Sequence, residues 1–229
     1  MALILQIETS TISCSVALSQ DGETIALKEL AERNIHASHI TLYIEDVMAE
    51  CRKDLADLDA VAVSMGPGSY TGLRIGISTA KGLCYGLDIP LIAISTLKAM
   101  TYGCRQLQQN PELLYCPMID ARRMEVYTAV FNNQLDEIEP TTAKIIDSES
   151  FAAILEDNKI VFFGDGAMKC DEVISKNKNA LFLPDYLNSA KDLSQLAYEK
   201  FMKNDFEDIA YFEPYYLKDF LVTQPKSVK

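Results

Sequence analysis

The sequence predicts an α/β protein of two lobes, each built on a mixed β-sheet. Two observations predict this. Residues 7–18 and 119–130 share one plan: a hydrophobic strand that ends in an acidic residue, a short turn and a second alternating strand. Residues 60–68 and 160–166 then share a strand followed by a glycine turn and a helix start. Hairpins followed by strand–helix alternation are typical of mixed sheets flanked by helices.

Local patterns predict the first elements in order. The tripeptide Gln20-Asp21-Gly22 follows the second strand and is a signal for a tight hairpin turn. Apolar residues then recur at helical spacing over residues 37–52, and this helix has an inner face formed by Ile40, Ile44, Val47 and Cys51. Residues 60–65 predict a strand, which breaks at residues 66–68, and a helix begins near Ser69 or Tyr70.

The helix after residue 69 is unusual because four glycines lie inside it or at its end. Each interior glycine costs about 1 kcal/mol relative to alanine. Gly72, Gly76 and Ala80 are spaced by four, so they form one smooth stripe that allows another backbone to approach closely. Two interpretations are open: the stripe packs on the protein's own sheet, or it packs against a helix of another subunit.

The second half follows the same alternation. Residues 90–94 predict a strand and 95–108 a helix, and Asn110-Pro111 then marks the boundary between a first lobe (1–109) and a second lobe (110–229). Residues 132–134 predict the turn of the second hairpin. Later helices are predicted over residues 148–156, 167–176 and 189–203, and an extended segment over residues 212–220.

Composition excludes several classes. The chain has 229 residues, a formal net charge of −12 and no run of about 18 apolar residues, so no membrane span is expected. The opening residues contain no basic region typical of a signal peptide, and a cytoplasmic protein is expected. The negative net charge argues against direct binding of this chain to a nucleic-acid backbone. Arg122-Arg123 and residues 226–229 are the local basic exceptions. Six scattered cysteines predict buried reduced thiols.

Five stretches resemble one bacterial family. They read ILQIETST (4–11), GPGSYTGLRIGISTAKGL (66–83), IPLIAISTL (89–97), IDARRMEVY (119–127) and EPYYLKD (213–219). On these residues the chain resembles the TsaB family, also called YeaZ. Its two lobes resemble the superfold of actin, Hsp70 and sugar kinases, a two-lobed actin-like ATPase or ribonuclease-H-like fold.

The resemblance implies a function. It implies a non-catalytic scaffold or activator subunit required for N6-threonylcarbamoyladenosine at position 37 of ANN-decoding tRNAs. This pseudoenzyme subunit would form a heterodimer with a TsaD-type catalytic subunit, recruit a TsaE-type ATPase and reach tRNA indirectly through the complex. Alone it would form a homodimer. No cofactor of its own is expected, since ATP, magnesium and metal would belong to the partners, and no residues support an older glycoprotease label.

The residues themselves argue against a metal site. TsaD-like proteins carry a His-x-x-x-His helix after the strand that matches residues 90–94, and here the matching positions read Thr96 and Met100. The two histidines of the chain, His36 and His39, lie three apart at a helix start without an accompanying cluster of cysteines or carboxylates. A metal pair and a solvated or capping role are both open, and no metal ligand is assigned.

Nucleotide-binding features are weak. In the superfold the first hairpin of each lobe offers glycines and hydroxyls to phosphates, but here neither turn contains glycine. The second turn places two arginines where a phosphate loop should be open. A glycine motif before a helix start, at residues 164–167, could still meet an anion. The candidate cofactor-binding residues are Glu8, Thr9, Ser10, Asp120, Arg122, Gly164 and Gly166.

Hydrolytic motifs are missing from the sequence, which has no G-x-S-x-G, H-E-x-x-H or Walker A pattern. Ser69 follows a glycine turn and is interpreted as a helix N-cap rather than a nucleophile. Cys14 or Cys84 could pair with a histidine, but nothing in the sequence brings them together. No catalytic residue is assigned.

Two function hypotheses follow. In the first, the chain is a scaffold whose two first-lobe helices bind the partner, through Tyr70, Gly72, Leu73, Arg74, Gly76, Ile77, Ala80 and Lys81 on one helix and His39, Tyr43 and Val47 on the other. In the second, the chain is a stand-alone small-molecule kinase or ATPase, with Glu8 and Asp120 directing magnesium.

Overall fold

The computed structural model describes residues 1–108 and 110–218. The first sheet contains strands β1 (Leu3–Glu8), β2 (Ser13–Gln20), β3 (Glu23–Ala31), β4 (Ala60–Gly66) and β5 (Leu91–Ser95), in the order β3-β2-β1-β4-β5. The first three strands are antiparallel neighbours, and β4 and β5 run parallel to β1. Its helices are α1 (His36–Glu50), α2 (Tyr70–Leu87) and α3 (Thr96–Gln108), with a 3₁₀ turn at Leu55–Asp57.

The second sheet repeats the topology of the first. Its strands are β6 (Leu114–Asp120), β7 (Glu125–Phe131), β8 (Glu137–Ile145), β9 (Ile160–Phe163) and β10 (Ala180–Leu183), in the order β10-β9-β6-β7-β8. An antiparallel trio again joins a parallel pair. The helices in this half of the chain are α4 (Ala152–Asp157), α5 (Asp171–Ile174) and α6 (Ser194–Met202). The predicted fold class, two mixed sheets in the ribonuclease-H-like arrangement, is confirmed.

Most first-lobe elements form where the sequence predicts them, because their signals are local. The hairpin turn has Asp21 at φ 50° and Gly22 at φ 87°, the left-handed backbone that a tight turn between twisted strands requires. The Ser69 hydroxyl accepts a hydrogen bond from the Gly72 N–H at 3.3 Å, which confirms the predicted N-cap. The strand β1 is buried at every position, as expected for the centre of a sheet.

The helices in the second half of the chain are shorter than predicted. The helix predicted over residues 148–156 begins at Ala152, since residues around Asp147 form a turn and Phe151 has φ 64°. The helix predicted over residues 167–176 is a 3₁₀ turn followed by the four-residue α5, and that predicted over 189–203 is a 3₁₀ turn followed by α6. Residues 212–216 have no regular structure, and Asp219, Phe220 and residues 226–229 lie outside the described residues.

Helix α3 and the segment around α6 join the lobes. Buried side chains of α3 pack on both sheets: Ala99 clusters with Ile94, while Leu97 and Met100 cluster with second-sheet residues such as Phe163. The 3₁₀ turn Ala190–Leu193 and α6 return to the first sheet and pack on β1. The predicted lobe boundary near residue 109 stays a prediction. Among the described helices, none has the length and apolar character that crossing a membrane requires.

Candidate functional site

A cleft of about 720 Å³ lies where the two lobes face each other. The turn after β1, the loop before α2 and the loop before α1 line it from the first lobe. The turn between β6 and β7 lines it from the second lobe, and residues 215–218 border it. In proteins, a concave site between lobes is the usual place for a small ligand, so the chemistry of this lining decides what the cleft can do.

The first turn directs its polar groups into the protein. The Glu8 carboxylate is 1% exposed and accepts hydrogen bonds from the N–H of Ser10, at 2.6 Å, and from its hydroxyl. Burial raises the pKa of Glu8, which these hydrogen bonds partly oppose. Of the three predicted cofactor residues in this turn, only Ser10 lines the cleft, whereas Glu8 and Thr9 do not. The magnesium-directing role predicted for Glu8 finds no geometric support.

The glycine stripe of α2 packs on the protein's own first turn. A Cβ at Gly72 would lie 2.0 Å from the Thr9 carbonyl oxygen, and a Cβ at Gly76 would lie 2.2 Å from Thr9 Oγ1. Ala80 on the same face is fully buried. Of the two open interpretations, packing on the chain's own sheet is therefore correct for the stripe. The interpretation that Gly72, Gly76 and Ala80 meet another subunit is wrong, because Thr9 fills the space beside the two glycines and Ala80 is buried in the first-lobe core.

The second turn holds its carboxylates in contacts within the lobe. Asp120 accepts hydrogen bonds from the Arg122 N–H at 2.8 Å and forms an ion pair with Lys169, whose ammonium also donates to the Glu125 carbonyl at 2.7 Å. Asp165 accepts from the Asp120 N–H at 3.0 Å. Arg122 is exposed and lines the cleft. The two acidic groups of the lining are thus engaged by the chain itself.

The glycine motif of the second lobe serves packing. A Cβ at Gly164 would lie 2.5 Å from the Met118 carbonyl oxygen, and one at Gly166 would lie 2.9 Å from the Asp120 nitrogen. Neither glycine lines the cleft. The helix expected after them is only a 3₁₀ turn and four residues, too short to present a developed dipole to an anion. The predicted phosphate contact at Gly164 and Gly166 is therefore wrong in geometry.

The histidines and cysteines form no reactive cluster among the described residues. His36 Nε2 lies 3.2 Å from the Ser13 carbonyl oxygen, and His39 Nδ1 lies 2.9 Å from the Ser38 hydroxyl. In the described part of the chain, no group of three or more His, Cys, Asp or Glu side chains could hold a metal ion. All six cysteines are free thiols and five are buried, as predicted; Cys51 is half-buried.

The predicted interface residues divide into two groups. Leu73 and Ile77 on α2 and Val47 on α1 are buried in the core of the first lobe. They support the helices from beneath and cannot touch a partner in this fold. The others reach the surface or its margin, and they are Tyr70, Arg74 and Lys81 on α2 and His39 and Tyr43 on α1.

The three α2 residues of the second group already contact residues 212–218. Tyr70 stacks on Tyr216 with ring centroids 4.7 Å apart, and Arg74 Nε donates to the Tyr216 hydroxyl at 3.3 Å. The Lys81 ammonium donates to the Phe212 carbonyl at 3.1 Å. On α1, the His39 and Tyr43 rings meet edge to face at 5.6 Å.

A buried polar cluster between the lobes was missed from the sequence. Asp192 is 6% exposed, and its carboxyl accepts a hydrogen bond from the Tyr186 hydroxyl at 2.8 Å. Burial raises the pKa of Asp192 to about 7. Gly103 on α3 makes room for this carboxyl, because a Cβ there would lie 2.4 Å from it. A lone Asp in a polar stretch carries no sequence signal for this role.

The fold and the cleft define a class: a two-lobed ribonuclease-H-like protein of the actin-like kind, whose two cleft turns contain no glycine. The solved structure of YeaZ from Pseudomonas aeruginosa superposes with a TM-score of 0.83 and 25% identity, covering 95% of this chain and 100% of that one.

Family comparison agrees with this class. The family model TsaD, described as tRNA N6-adenosine threonylcarbamoyltransferase, matches residues 27–226. The chain therefore belongs to the TsaB (YeaZ) family, which is related to TsaD.

Curated relatives carry a consistent name. The tRNA threonylcarbamoyladenosine biosynthesis protein TsaB of Haemophilus influenzae is 42% identical over 124 residues, 54% of this chain and 51% of that protein. The protein of the same name from Escherichia coli is 42% identical over 134 residues, 58% of this chain and 56% of that protein. The chain thus spans about half the length of these curated relatives.

Proposed function

We propose that this chain is a TsaB-type scaffold or activator subunit for N6-threonylcarbamoyladenosine formation at position 37 of ANN-decoding tRNAs. It acts by forming a heterodimer with a TsaD-type catalytic subunit and recruiting a TsaE-type ATPase. Family membership and the names of the relatives support the pathway. The buried Glu8 and the hydrogen-bonded acids of the cleft support a subunit without catalysis of its own.

The outward face of α2 is the observation that carries the proposal. Gly82 and Gly86 are exposed, and a Cβ at either position would meet no atom within 4 Å. Interior helix glycines cost about 1 kcal/mol each relative to alanine. At positions 72 and 76 the close approach of Thr9 explains why glycine is present despite this loss of helix stability. At position 82 no contact within the described chain explains the presence of glycine. A second molecule that packs closely on this face would explain it.

Neighbouring side chains extend this face. Ser78 and Arg74 are exposed one and two turns before Gly82, and Tyr85 is 84% exposed. Helix α1 packs beside α2 and exposes Leu42 to 52%. Small residues framed by an arginine, a tyrosine and a leucine suit helix-on-helix packing, in which backbones approach closely and large side chains anchor the rim.

Substitution on this face tests the proposal. Gly82→Leu fits into open space, so the chain should fold normally, but the added side chain should weaken binding to the TsaD-type subunit by about tenfold or more. Glu199→Leu, an exposed change on α6, is the matched control and should leave the affinity unchanged. Calorimetry with purified subunits measures both. Equal affinity for Gly82→Leu and the parent would place the interface elsewhere.

A further inference from the structure

Residues 212–218 form a strap that runs along α2 and borders the cleft between the lobes. On the first lobe it is held by a main-chain hydrogen bond from the Tyr215 N–H to the Met65 carbonyl, at 2.8 Å. Gly66 allows this approach, since a Cβ there would lie 2.6 Å from the Tyr215 carbonyl oxygen. Tyr216 adds the stack on Tyr70. The first-lobe end of the strap is therefore packed as well as hydrogen-bonded.

The far end of the strap reaches the second lobe. The Lys218 ammonium forms an ion pair with the Glu125 carboxylate at the start of β7. The side chains of these residues are 43% and 19% exposed, so water and salt can compete for the pair. Four consecutive residues, 215–218, line the cleft on the way. The strap thus bridges the lobes across the cleft through one surface ion pair.

Elsewhere the lobes are joined through buried, packed side chains of α3. Helix α3 packs on both sheets through side chains such as Met100, which is 1% exposed. The segment before α6 adds a buried hydrogen bond from Asn188 to the Ser10 hydroxyl, at 3.3 Å. It also adds a half-buried hydrogen bond from the Ser189 hydroxyl to the exposed Glu29, at 2.6 Å. Buried, packed contacts resist opening much more than an exposed ion pair does. The lobes are therefore tied strongly at α3 and weakly at the strap.

We propose that the strap is a salt-sensitive latch, in which the Lys218–Glu125 pair holds the cleft closed and its release opens the cleft around α3. The proposal concerns the isolated chain and does not depend on the partner proposed above. It predicts that access to the cleft interior is set by this pair, and that restoring the pair with reversed charges restores closure.

His36 provides a reporter of cleft access. It lines the cleft and is 8% exposed. The one other histidine of the sequence, His39, is half-buried, does not line the cleft and serves as an internal reference. Diethyl pyrocarbonate acylates the unprotonated ring nitrogen of histidine. The ratio of the two modification rates, measured by mass spectrometry on the full chain, therefore reports opening rather than reagent activity.

Charge reversal tests the latch. Lys218→Glu and Glu125→Lys should each raise the modification rate of His36, relative to that of His39, by about two- to fivefold. This is the fold-change expected from losing the stabilisation that an exposed ion pair provides. The double variant should return to the parental ratio. Lys203→Glu, which reverses an exposed lysine that forms no ion pair in the described chain, should have no effect. Thermal unfolding checks that each variant is folded.

Neutral variants and salt complete the test. Lys218→Gln and Glu125→Gln should give smaller increases, and raising the ionic strength should speed modification of His36 in the parent but not in Glu125→Gln. An unchanged ratio in both single reversals would overturn the latch. So would a double variant that behaves like the sum of the single reversals, because the effects would then not come from the pair.

Discussion

Thr9 and Gly72 are joined by a hydrogen bond in which the Thr9 hydroxyl donates to the Gly72 carbonyl oxygen at 2.8 Å. The bond fastens the turn after the first strand to the first turn of α2. The same turn would have to face a nucleotide in a phosphate-binding member of this fold, and here its threonine is committed to the helix. Helix α2 has two glycine faces: Gly72 and Gly76 pack on Thr9, whereas Gly82 and Gly86 face open space.

The two faces predict opposite effects of the same substitution. Gly76→Ala should destabilise the fold by about 1–3 kcal/mol, because its Cβ would lie 2.2 Å from Thr9 Oγ1. Gly82→Ala should stabilise it by about 0.5–1 kcal/mol, because helix propensity improves and the space is open. Urea unfolding of both variants measures this. Equal effects of the two substitutions would contradict the assignment of the faces.

Asp192 predicts a pH dependence of stability. Its pKa is raised from 3.8 to about 7, so the native chain binds this proton more tightly than the unfolded chain does. Between about pH 4 and pH 7, raising the pH therefore lowers the free energy of unfolding, and above about pH 7 the loss is complete. Asp192→Asn keeps an oxygen that can accept from Tyr186 and removes the titration.

The measurement compares unfolding at two pH values. The free energy of unfolding of Asp192→Asn, relative to the parent, should rise by about 2–3 kcal/mol from pH 5 to pH 8. Asp88→Asn, at the exposed C-cap of α2, is the matched control and should show no comparable change. A pH-independent difference between Asp192→Asn and the parent would mean that Asp192 is ionised in the native chain throughout.

The negative charge of Glu8 is predicted to be unnecessary for folding and for tRNA modification. Its carboxylate is buried and raised in pKa, and it accepts hydrogen bonds that a glutamine oxygen can also accept. Glu8→Gln should therefore fold and should support tRNA modification in the reconstituted system at a rate within about twofold of the parent, less than the loss expected on removing a functional hydrogen-bonding charge. A loss of activity with intact partner binding would instead reveal a role for the negative charge.

Cysteine labelling should follow burial. Burial raises the pKa of Cys14 and Cys84 to about 11 and that of Cys104 and Cys116 to about 12. In the native chain, Cys51 should therefore react first with iodoacetamide, and unfolding in urea should expose all six thiols. Mass spectrometry of the labelled peptides identifies the order. Rapid labelling of a buried cysteine in the native chain would indicate local opening there.

The features that could be predicted from the sequence are those that depend on a few neighbouring residues. Ser69 caps α2 and Asp21-Gly22 turns the first hairpin, since capping and turn formation depend on a few adjacent residues. The prediction of one helix over residues 167–176 was wrong. Cys170 and Ile174 pack into the core of the second lobe from a 3₁₀ turn and a short helix, so tertiary contacts outweighed the periodic pattern of the sequence.

The site was less predictable because it depends on direction and distance. The spacing of Gly72 and Gly76 indicated close packing but not the partner, and only the position of Thr9 decides it. The sequence shows a glycine at position 82, but only the folded structure shows that this glycine is exposed to solvent. Tyr216 and Lys218 lie far from α2 and β7 in the sequence, and no local pattern indicates that the strap joins them.

Reconstitution tests the central claim most directly. The purified chain is mixed with a TsaD-type subunit, a TsaE-type ATPase, ATP, tRNA and threonylcarbamoyl-adenylate, and modified adenosine is assayed with and without the chain. We predict that product depends on the chain, that the chain alone hydrolyses no ATP, and that Gly82→Leu supports less modification than the parent when the chain is limiting. Modification at full rate without the chain, or ATP hydrolysis by the chain alone that is lost in Asp120→Ala, would contradict this claim.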